Sequence, residues 1–447
     1  MELFNTLKLQ FEKSDWKLNP EFGLIDTILE SYPHLILLLK DDVIGQEKNN
    51  DFGRKDTPTV EQIVRAAIYK EMNGLDYRGL EYAQSDSRIC STFIKLDFRK
   101  PYSFQMYQKY ISRIKEETLK RLLVEINKIA ISEGFEDVKK IRQDSTIVKS
   151  NIHYPTNNSI VWDCIKESHR LLGNLKEEIS ALSFRDYTRG AKKTYFKINN
   201  TKTEDKRSQL FVKQLVVFTK TINQVSNAIK KKSGSIEAMI IQSSLKNLLP
   251  LMRLVYDMAY NKEVLKQAVP NDEKIFSIYE LHTDIIVKGG REVLFGHKVN
   301  LASGKSNLIL DCDILRGNLS DKSLYQPTID RVIGNYGITP RDSATDGGYA
   351  SKDNMEYSIK RGIVNIVFNK IVGSMKNVVN SLNIETRLKK WRSGIESIIS
   401  NLKRGFNIGM CNWKGWEHFQ SKVLWSVLGY NFRVMTAITL GKIKSGK

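Results

Sequence analysis

The order of hydrophobic and polar positions divides the chain into stretches with different periodicities. Residues 1–130 and 159–268 repeat apolar positions every three to four residues, which is typical of amphipathic helices. The stretch 137–155 alternates, is rich in β-branched residues and ends at Pro155, which predicts a strand. From residue 274 onward, strand patterns and helix patterns follow one another.

The second half of the chain predicts strands that alternate with helices. The stretch "KIFSIYELHTDIIVKGG" predicts one strand, and "EVLFGHKVNLASGKSNLILDCDIL" predicts two more, with a hairpin turn at "SGKS". Further along, we predict a helix near 321–335, a strand that ends in "SATDGG", a helix over 351–361, the buried strand "GIVNIVFNK" and two final helices.

Strands alternating with helices predict an α/β core, and the helical stretch after the first strand then becomes an insertion. We expect four segments with different roles. They are a helical N-terminal domain over 1–130, the first-strand region of the core over 131–158, a helical insertion over 159–270, and the remainder of the core with the C-terminal helices over 271–447.

The stretch "LKKWRSGIESIISNLKRGF" predicts one helix with a core-facing arc and a charged stripe beside it. At about 100° per residue, the arc contains Leu388, Trp391, Ile395, Ile398, Ile399, Leu402 and Phe406. The stripe at its border contains Lys389, Arg392, Glu396, Ser400 and Lys403. The simplest interpretation of Glu396 is a surface ion pair with Arg392, which would contribute only ~0.3–0.5 kcal/mol.

The charge balance indicates a polyanionic partner. The 447 residues contain 70 Lys and Arg against 50 Asp and Glu, a net charge of +20. The excess is concentrated in two blocks, because 351–447 holds 17 bases and five acids while 185–232 holds 13 bases and three acids. Two separate basic regions favour nucleic acid, although solvated helix faces would give the same count. No basic amphipathic anchor for a membrane stands out.

Cysteine usage and the apolar runs indicate a reduced, cytoplasmic compartment. The four cysteines (Cys90, Cys164, Cys312 and Cys411) form no CxxC pair, which argues against a zinc site and against a disulfide framework. The first 17 residues lack the apolar segment of a signal peptide, and the apolar run at 35–39 is too short to span a membrane.

Two aspartates are predicted where α/β folds usually place their chemistry. Asp144 lies within the first strand, and Asp346 ends a later strand just before Gly347 and Gly348, which leave space beside the carboxylate. Glu396, on a helix packed against that sheet, completes a possible trio. Converging carboxylates require cations, and oxygen ligands without His or Cys select Mg²⁺ or Mn²⁺. The simpler alternatives are an Asp-Gly turn at Asp346 and a polar strand position at Asp144.

Other residues allow weaker interpretations. Glu280, His282 and Asp284 alternate on one face of a predicted strand and form a second possible metal constellation. His297 lies either near the site or in strand packing. Four tryptophans either stack on an unpaired base or pack in the core, and packing is favoured: Trp162, Trp413, Trp416 and Trp425.

The chain resembles the bacterial insertion-sequence transposases of the DDE type. "RQDSTIV" is similar to the strand of the first Asp, and "ATDGGYASKDN" to the strand and loop of the second. Arg392, Glu396 and Lys403 match the spacing of the Tyr-(2)-Arg-(3)-Glu-(6)-Lys signature, although its Tyr position holds Lys389. The stretches "TPTVEQIVRAAIYKEMNGLDYRGLEYAQSDSRICSTF" and "NWKGWEHFQSKVLWSVLGYNF" are similar to the helical N-terminal domain and the tail of the group.

The resemblance implies an RNase H-like catalytic core with Asp144 on the first strand, Asp346 on the fourth and Glu396 on a following helix. It assigns these acids as catalytic ligands of two Mg²⁺ ions, for which Mn²⁺ would substitute. Arg392, Lys403, Lys389 and Arg404 would contact DNA phosphate, and a tyrosine role at Lys389 does not carry over.

By the same resemblance, the enzyme hydrolyses a phosphodiester at the element ends, and the freed 3′-OH then attacks target DNA. Its partners would be the terminal inverted repeats, target DNA and a second copy of the chain, bound as a homodimer in the bacterial cytoplasm at the nucleoid. Residues 1–130 would recognise the ends, and 159–270 would contact DNA or the second subunit. Two alternatives stay open: an RNase H-like nuclease without strand transfer, and a non-catalytic DNA-binding relic.

Overall fold

The computed structural model describes residues 14–45, 57–96, 100–288, 292–371, 373 and 375–444. Within these ranges the chain forms two compact units. The first comprises the described parts of Met1–Ser150 and Ile286–Lys447, and the second comprises Asn151–Ile285. The second unit is therefore inserted between two sequence halves of the first.

The first part of unit 1 is helical, as the periodicity predicts. Thr59 begins one helix through a reciprocal capping box with Gln62, and the helix ends two residues before Gly74, which has a φ of +63°. The helices are α1 (Ser14–Leu18), α2 (Pro20–Ser31), α3 (His34–Leu37), α4 (Lys40–Ile44), α5 (Val60–Met72), α6 (Tyr77–Asp86), α7 (Arg88–Phe93), α8 (Phe104–Ile111) and α9 (Glu116–Ser132).

A single mixed sheet forms the centre of unit 1. In the described ranges it contains β1 (Lys140–Ser150), β2 (Asp284–Lys288), β3 (Glu292–Ser303), β4 (Ile309–Ile314), β5 (Asp342–Asp346), β6 (Asn365–Asn369) and β7 (Met410–Cys411). The main order is β2-β3-β1-β5-β6, with β4 also paired to β3 and the short β7 paired to β1. Strand β1 is antiparallel to β3 and parallel to β5, and β5 is parallel to β6. The α/β class predicted from the sequence is confirmed.

Asp346 ends the fifth strand in chain order, not the fourth, because β2 precedes the β3–β4 hairpin. The strand predicted over 274–290 is only partly correct, since the chain over 274–283 makes bends and turns and β2 spans Asp284–Lys288. The turn at 303–306 connects β3 to β4 as predicted.

Helices cover the sheet in the later part of the chain. They are α14 (Asp321–Tyr336), α15 (Lys352–Lys360), α16 (Leu382–Arg392), α17 (Gly394–Gly405) and α18 (Trp416–Lys444). The single helix predicted around Glu396 is in fact two, because the chain turns at Ser393. The predicted apolar arc is divided accordingly: Leu388 packs with β5 and β6 residues, whereas Ile395 and Leu402 join the large core of the N-terminal helices.

The N-terminal helices share one hydrophobic core with the C-terminal helix. Helix α18 contacts α2, α5 and α9, and the same core continues to β3 and β4. This division differs from the predicted one, in which 1–130 forms a domain of its own. The physical reason is that α5 and α9 bury their apolar faces against α18, which comes last in the sequence.

Helix α18 is the one described helix that is long and apolar enough to cross a membrane, over Trp416–Gly441. Of its most apolar window, 72% is buried within the fold. Its apolar residues therefore serve the core of unit 1, and they give no evidence for a membrane.

Unit 2 is a bundle of four long helices with its own core. They are α10 (Asn157–Glu178), α11 (Thr188–Asn200), α12 (Glu204–Ile229) and α13 (Ile236–Ala259), followed by a π-helical turn at Tyr260–Val264. A second apolar cluster lies between these helices, and α10 contacts the other three. The helical character predicted for 159–268 thus describes most of this unit.

Candidate active site

Asp144 and Asp346 lie on adjacent parallel strands at the same level of the sheet. The β1–β5 pairing runs from Lys140 opposite Asp342 to Gln143 opposite Thr345. Each aspartate is the residue that directly follows the last pair. The register of this pairing brings together two residues 202 positions apart in the sequence: Asp346 ends β5, and Asp144 lies partway along β1.

A buried arginine on β1 positions the helices that carry the remaining site residues. Arg142 Nη1 donates a hydrogen bond to the Trp391 carbonyl at 2.6 Å, and its guanidinium lies 4.7 Å from the centre of the Trp391 ring. Its Nε donates to Ser303 Oγ at 2.9 Å. A side chain at Gly394 would overlap with Arg142 Nη1, so the start of α17 requires glycine. Arg142 thereby ties β1 to the junction of α16 and α17, the two helices that carry Arg392 and Glu396.

Arg392, the last residue of α16, is the point at which the three acids converge. Its Nη2 donates to Glu396 Oε1 at 2.8 Å, and its Nη1 lies 3.7 Å from Asp144 Oδ2 and 3.9 Å from Asp346 Oδ1. The Arg392 side chain is only 9% exposed, whereas Glu396 is 62% exposed. The Arg392–Glu396 ion pair therefore exists, but it is one edge of a cluster around a buried guanidinium and not an isolated surface pair.

Asp144 is the most buried of the three acids. Burial raises the pKa of Asp144 to about 6, and the charges of Asp346 and Asp321 act in the same direction. The backbone N–H of Ser145 and the guanidinium of Arg392 lower the pKa of this carboxyl but do not compensate fully. The ionised form is therefore costly in this structure, which is the usual condition of a carboxylate that needs a cation.

A fourth acid, Asp321 in the first turn of α14, lies beside the cluster. Its Oδ1 accepts hydrogen bonds from Ser145 Oγ at 3.1 Å and from Lys298 Nζ at 3.2 Å. A Cβ at Gly348 would lie 3.0 Å from Asp321 Oδ2, so this glycine admits the acid. The space that Gly348 leaves is thus occupied by Asp321.

Gly347 serves a different purpose from the one predicted. A Cβ there would lie 2.6 Å from the Asn369 carbonyl oxygen and 2.7 Å from that of Lys370. The absent side chain lets the end of β6 approach the turn after Asp346.

Three carboxylates are suitable ligands for a hard divalent cation, but in this structure they surround the guanidinium of Arg392. Among the residues that the structure describes, no group of three or more His, Cys, Asp or Glu side chains is arranged to hold a metal ion. This applies equally to Glu280, His282 and Asp284. Glu280 and His282 lie in a turn, hydrogen-bonded to each other at 2.9 Å, and Asp284 begins β2, so they do not alternate along one strand.

The basic residues near the site differ in their surroundings. Lys389 forms an ion pair with Glu385 at 2.6 Å on α16. Lys403 and Arg404 are exposed in the last turn of α17. Arg404 and Glu396 line the same open groove of about 780 Å³, together with Ser393, Ser397, Ser400, Asn401 and Gly405. Arg392 alone of the four faces the carboxylates directly.

The tryptophans and His297 have packing partners within the fold. Trp162 stacks on Tyr195, Trp413 stacks on Tyr77, and Trp425 is buried. The ring of His297 contacts the ring of Trp416 at 4.5 Å. His297 is therefore buried in strand packing, as one of the two interpretations held.

Three contributors to the site were missed from the sequence. Arg142 lies two residues before Asp144, where a strand pattern marks only an inward-facing position. Gly394 follows Ser393 at the turn between α16 and α17, and the Ser-Gly pair was a signal for that break. Asp321 begins a helix, where an acid is ordinarily explained by the helix dipole.

A comparison with known families gives an independent result. Residues 287–432 match the family model described as the transposase DDE domain. This stretch includes Asp346, Arg392, Glu396 and Lys403, and it begins after Asp144 and unit 2. No curated protein and no solved structure matches the chain. The match confirms the resemblance to the insertion-sequence DDE transposases: the chain carries a transposase DDE domain over residues 287–432.

Proposed function

We propose that the protein is the transposase of an insertion sequence, which cleaves a phosphodiester at each element end and joins the freed 3′-OH to target DNA. One observation carries this proposal. Acids from β1, β5 and α17 converge within 3.9 Å of one guanidinium beside the sheet. The cluster is not paired as a structural ion-pair network would be, because Arg392 lies 3.7 and 3.9 Å from the two aspartates and the pKa of Asp144 is raised to about 6.

We further propose that the core is RNase H-like. The strand order β4-β3-β1-β5-β6 supports this, with two antiparallel pairs followed by two parallel pairs. In that arrangement the first acid lies on the central strand, and the second lies on its parallel neighbour. Strand β2 is then an addition at the β3 edge, and unit 2 is an insertion after β1.

Asp144, Asp346 and Glu396 would hold two Mg²⁺ ions, or Mn²⁺ in their place. When bound, such ions stabilise the attacking and leaving oxygens of an in-line phosphodiester displacement. The chain's own part is to supply oxygen ligands from three elements whose geometry Arg142 secures. Arg392 has to turn away from the acids for them to accept a cation, and a DNA phosphate is the natural partner for the released guanidinium.

The remaining basic residues would hold the DNA backbone beside this centre. Lys403 and Arg404 lie on the exposed side of α17, and Lys389 is available if its bond to Glu385 is exchanged for phosphate. We assign end recognition to 1–130, and we propose a homodimer on paired ends in the bacterial cytoplasm. A nuclease of the same fold that cuts without joining ends is the second candidate, since the acid cluster serves both reactions.

The test is strand cleavage and joining on DNA that carries the flanking element ends, with Mg²⁺, Mn²⁺ or Ca²⁺. Asp144→Asn, Asp346→Asn and Glu396→Gln should each lower cleavage by about 100-fold or more, because each removes a ligand charge at the reacting centre. DNA affinity should stay the same. Asp144→Asn should also leave thermal stability at neutral pH, without metal, unchanged or raised, because it removes a costly buried charge.

The matched control is Glu417→Gln, which removes an exposed acid at the start of α18. It should cut normally. Cleavage without joining by the parent would favour the nuclease. Binding without cleavage under every metal would favour the relic.

A further inference from the structure

Helix α11 in unit 2 has one buried face and one exposed face. Ala191 and Ile198 are buried and lie on the same side of the helix. Helices α10 and α12 pack against α11, and they account for this side. The opposite side has no such covering within unit 2, so its composition reflects something other than the fold.

That exposed side combines cations with a single large aromatic residue. Phe196 is 51% exposed, which is unusual for a phenylalanine on a helix that could have buried it. At about 100° per residue, Phe196 lies near the middle of an arc of exposed bases. These bases are Arg189, Lys192, Lys193 and Lys197.

The four cations carry no compensating charge. Helix α11 contains no Asp or Glu. Across the described part of the chain, none of the four lies within ion-pair distance of a carboxylate, and none has a further interaction of that kind. Four like charges on neighbouring turns of one helix repel each other, so an anionic partner would stabilise this surface.

The arrangement suits a nucleic acid better than a membrane. A membrane-surface helix needs a broad apolar face, whereas this surface has one aromatic residue surrounded by bases. A DNA backbone offers phosphates on both sides of a helix that enters its groove, and bases between them for an apolar contact.

We propose that the exposed side of α11 (Arg189, Lys192, Lys193, Phe196 and Lys197, the α11 surface) is a second DNA-binding site, separate from the catalytic centre. The four cations bind backbone phosphates, and Phe196 contacts a base. The inference rests on the proposed function only in its choice of DNA as the polyanion, since it requires no cleavage.

The experiment measures binding of the full chain to duplex DNA at a series of salt concentrations, without divalent metal. The quadruple variant Arg189→Gln, Lys192→Gln, Lys193→Gln and Lys197→Gln should bind more weakly. Each lost phosphate contact lowers the slope of log affinity against log salt by about 0.9, so the slope should fall by about 3 to 4. Thermal unfolding should be unchanged, because these side chains have no partners within the fold to lose.

The control variant removes the same charge from the same unit. It carries Gln at four exposed lysines that lie outside the 185–232 basic block: Lys166, Lys176, Lys246 and Lys262. Its slope should change by less than about 1. Equal losses in both quadruple variants would reduce the effect to net charge and overturn the proposal, as would normal binding by the α11 variant.

Phe196→Ala separates the aromatic contact from the charges. It should weaken binding about three- to tenfold with an unchanged salt slope, because a base contact releases no counterions. The parent and the α11 variant should also be tested on anionic vesicles. If the variant loses vesicle binding but keeps DNA binding, the α11 surface binds a membrane instead. If the parent does not cleave DNA but the α11 variant still shows the lower salt slope, the proposed function is wrong and the α11 proposal stands.

Discussion

Two arginines in unit 1 each face three carboxylates, but they differ in how many short hydrogen bonds they make to them. Arg65, on α5, is fully buried and donates to Asp26 at 2.6 Å and to Glu30 and Glu61 at 2.8 Å. Each of its three nitrogens donates to one of these acids. Arg392 makes one such bond, at 2.8 Å, and leaves its other two acids at 3.7 and 3.9 Å.

The remaining polar atoms follow the same contrast. Arg65 Nη1 also donates to the Phe93 carbonyl at 3.2 Å, so each of the three guanidinium nitrogens has at least one acceptor. The Arg392 Nε is buried and has no hydrogen-bond partner among the described residues. A fully paired buried group is part of the fold, whereas an incompletely paired one retains capacity for a partner that is not part of the chain.

The pKa values of the acids in the two clusters differ in the same way. Burial alone would raise the pKa of Glu61, but hydrogen bonds and charge from Lys95 and Arg65 hold it below its usual value. At Asp144, burial prevails over Arg392 and the pKa rises. The same three residue types, Arg, Asp and Glu, therefore form a tightly paired cluster on the helices and an incompletely paired one beside the sheet. Two features make the difference: the short hydrogen bonds of Arg65, and Lys95, a second cation that pairs with Glu30 and Glu61.

The largest expected effect on stability follows from breaking the cluster around Arg65. Arg65→Ala takes the paired cation from Asp26 and leaves Glu30 and Glu61 with Lys95, so it should lower the free energy of unfolding by about 3 kcal/mol or more. Urea unfolding measures this directly. Arg88→Ala, at an arginine whose side chain is 78% exposed, is the matched control and should cost less than about 1 kcal/mol. Equal losses in the two variants would contradict the structural assignment of Arg65.

A smaller effect on stability is expected when the cluster around Arg392 is broken. Arg392→Ala should lower the free energy of unfolding by only about 1 kcal/mol without metal, because two of its three contacts are long. Added Mg²⁺ should then raise the melting temperature of this variant more than that of the parent, since the acids no longer have a resident cation. Arg387→Ala, an exposed arginine on α16, should respond as the parent does. If Mg²⁺ shifts neither protein, the carboxylates are not a metal site.

The smallest effect concerns the pH dependence of stability. Because the pKa of Glu61 is lowered in the folded state, its stabilising contribution is complete above the unfolded value of 4.5 and is lost as pH falls through the folded pKa. Glu61→Gln should therefore be less stable than the parent at neutral pH, with the difference shrinking toward about pH 3. A constant difference across that range would show that the ionised carboxylate contributes nothing.

Local patterns predicted most of the elements, because period and capping depend on neighbouring residues. The start of α5, the hairpin of β3 and β4, and the position of Asp346 at a strand end all followed from short stretches. The break at Ser393 did not, although Ser393-Gly394 marks it. An arc that continues across 388–406 on a helical wheel does not distinguish one helix facing one core from two helices facing two cores.

The sequence by itself determined the α/β class, the helical insertion, the basic blocks and the three acids as candidates, since each depends on residue type and spacing. Only the tertiary structure decided that Arg392 faces inward between the acids, that Arg142 ties β1 to the junction of α16 and α17, and that α18 completes the core of the N-terminal helices. Those relations join residues far apart in the chain. They depend on which strands pair and which faces are buried, and no local pattern contains that information.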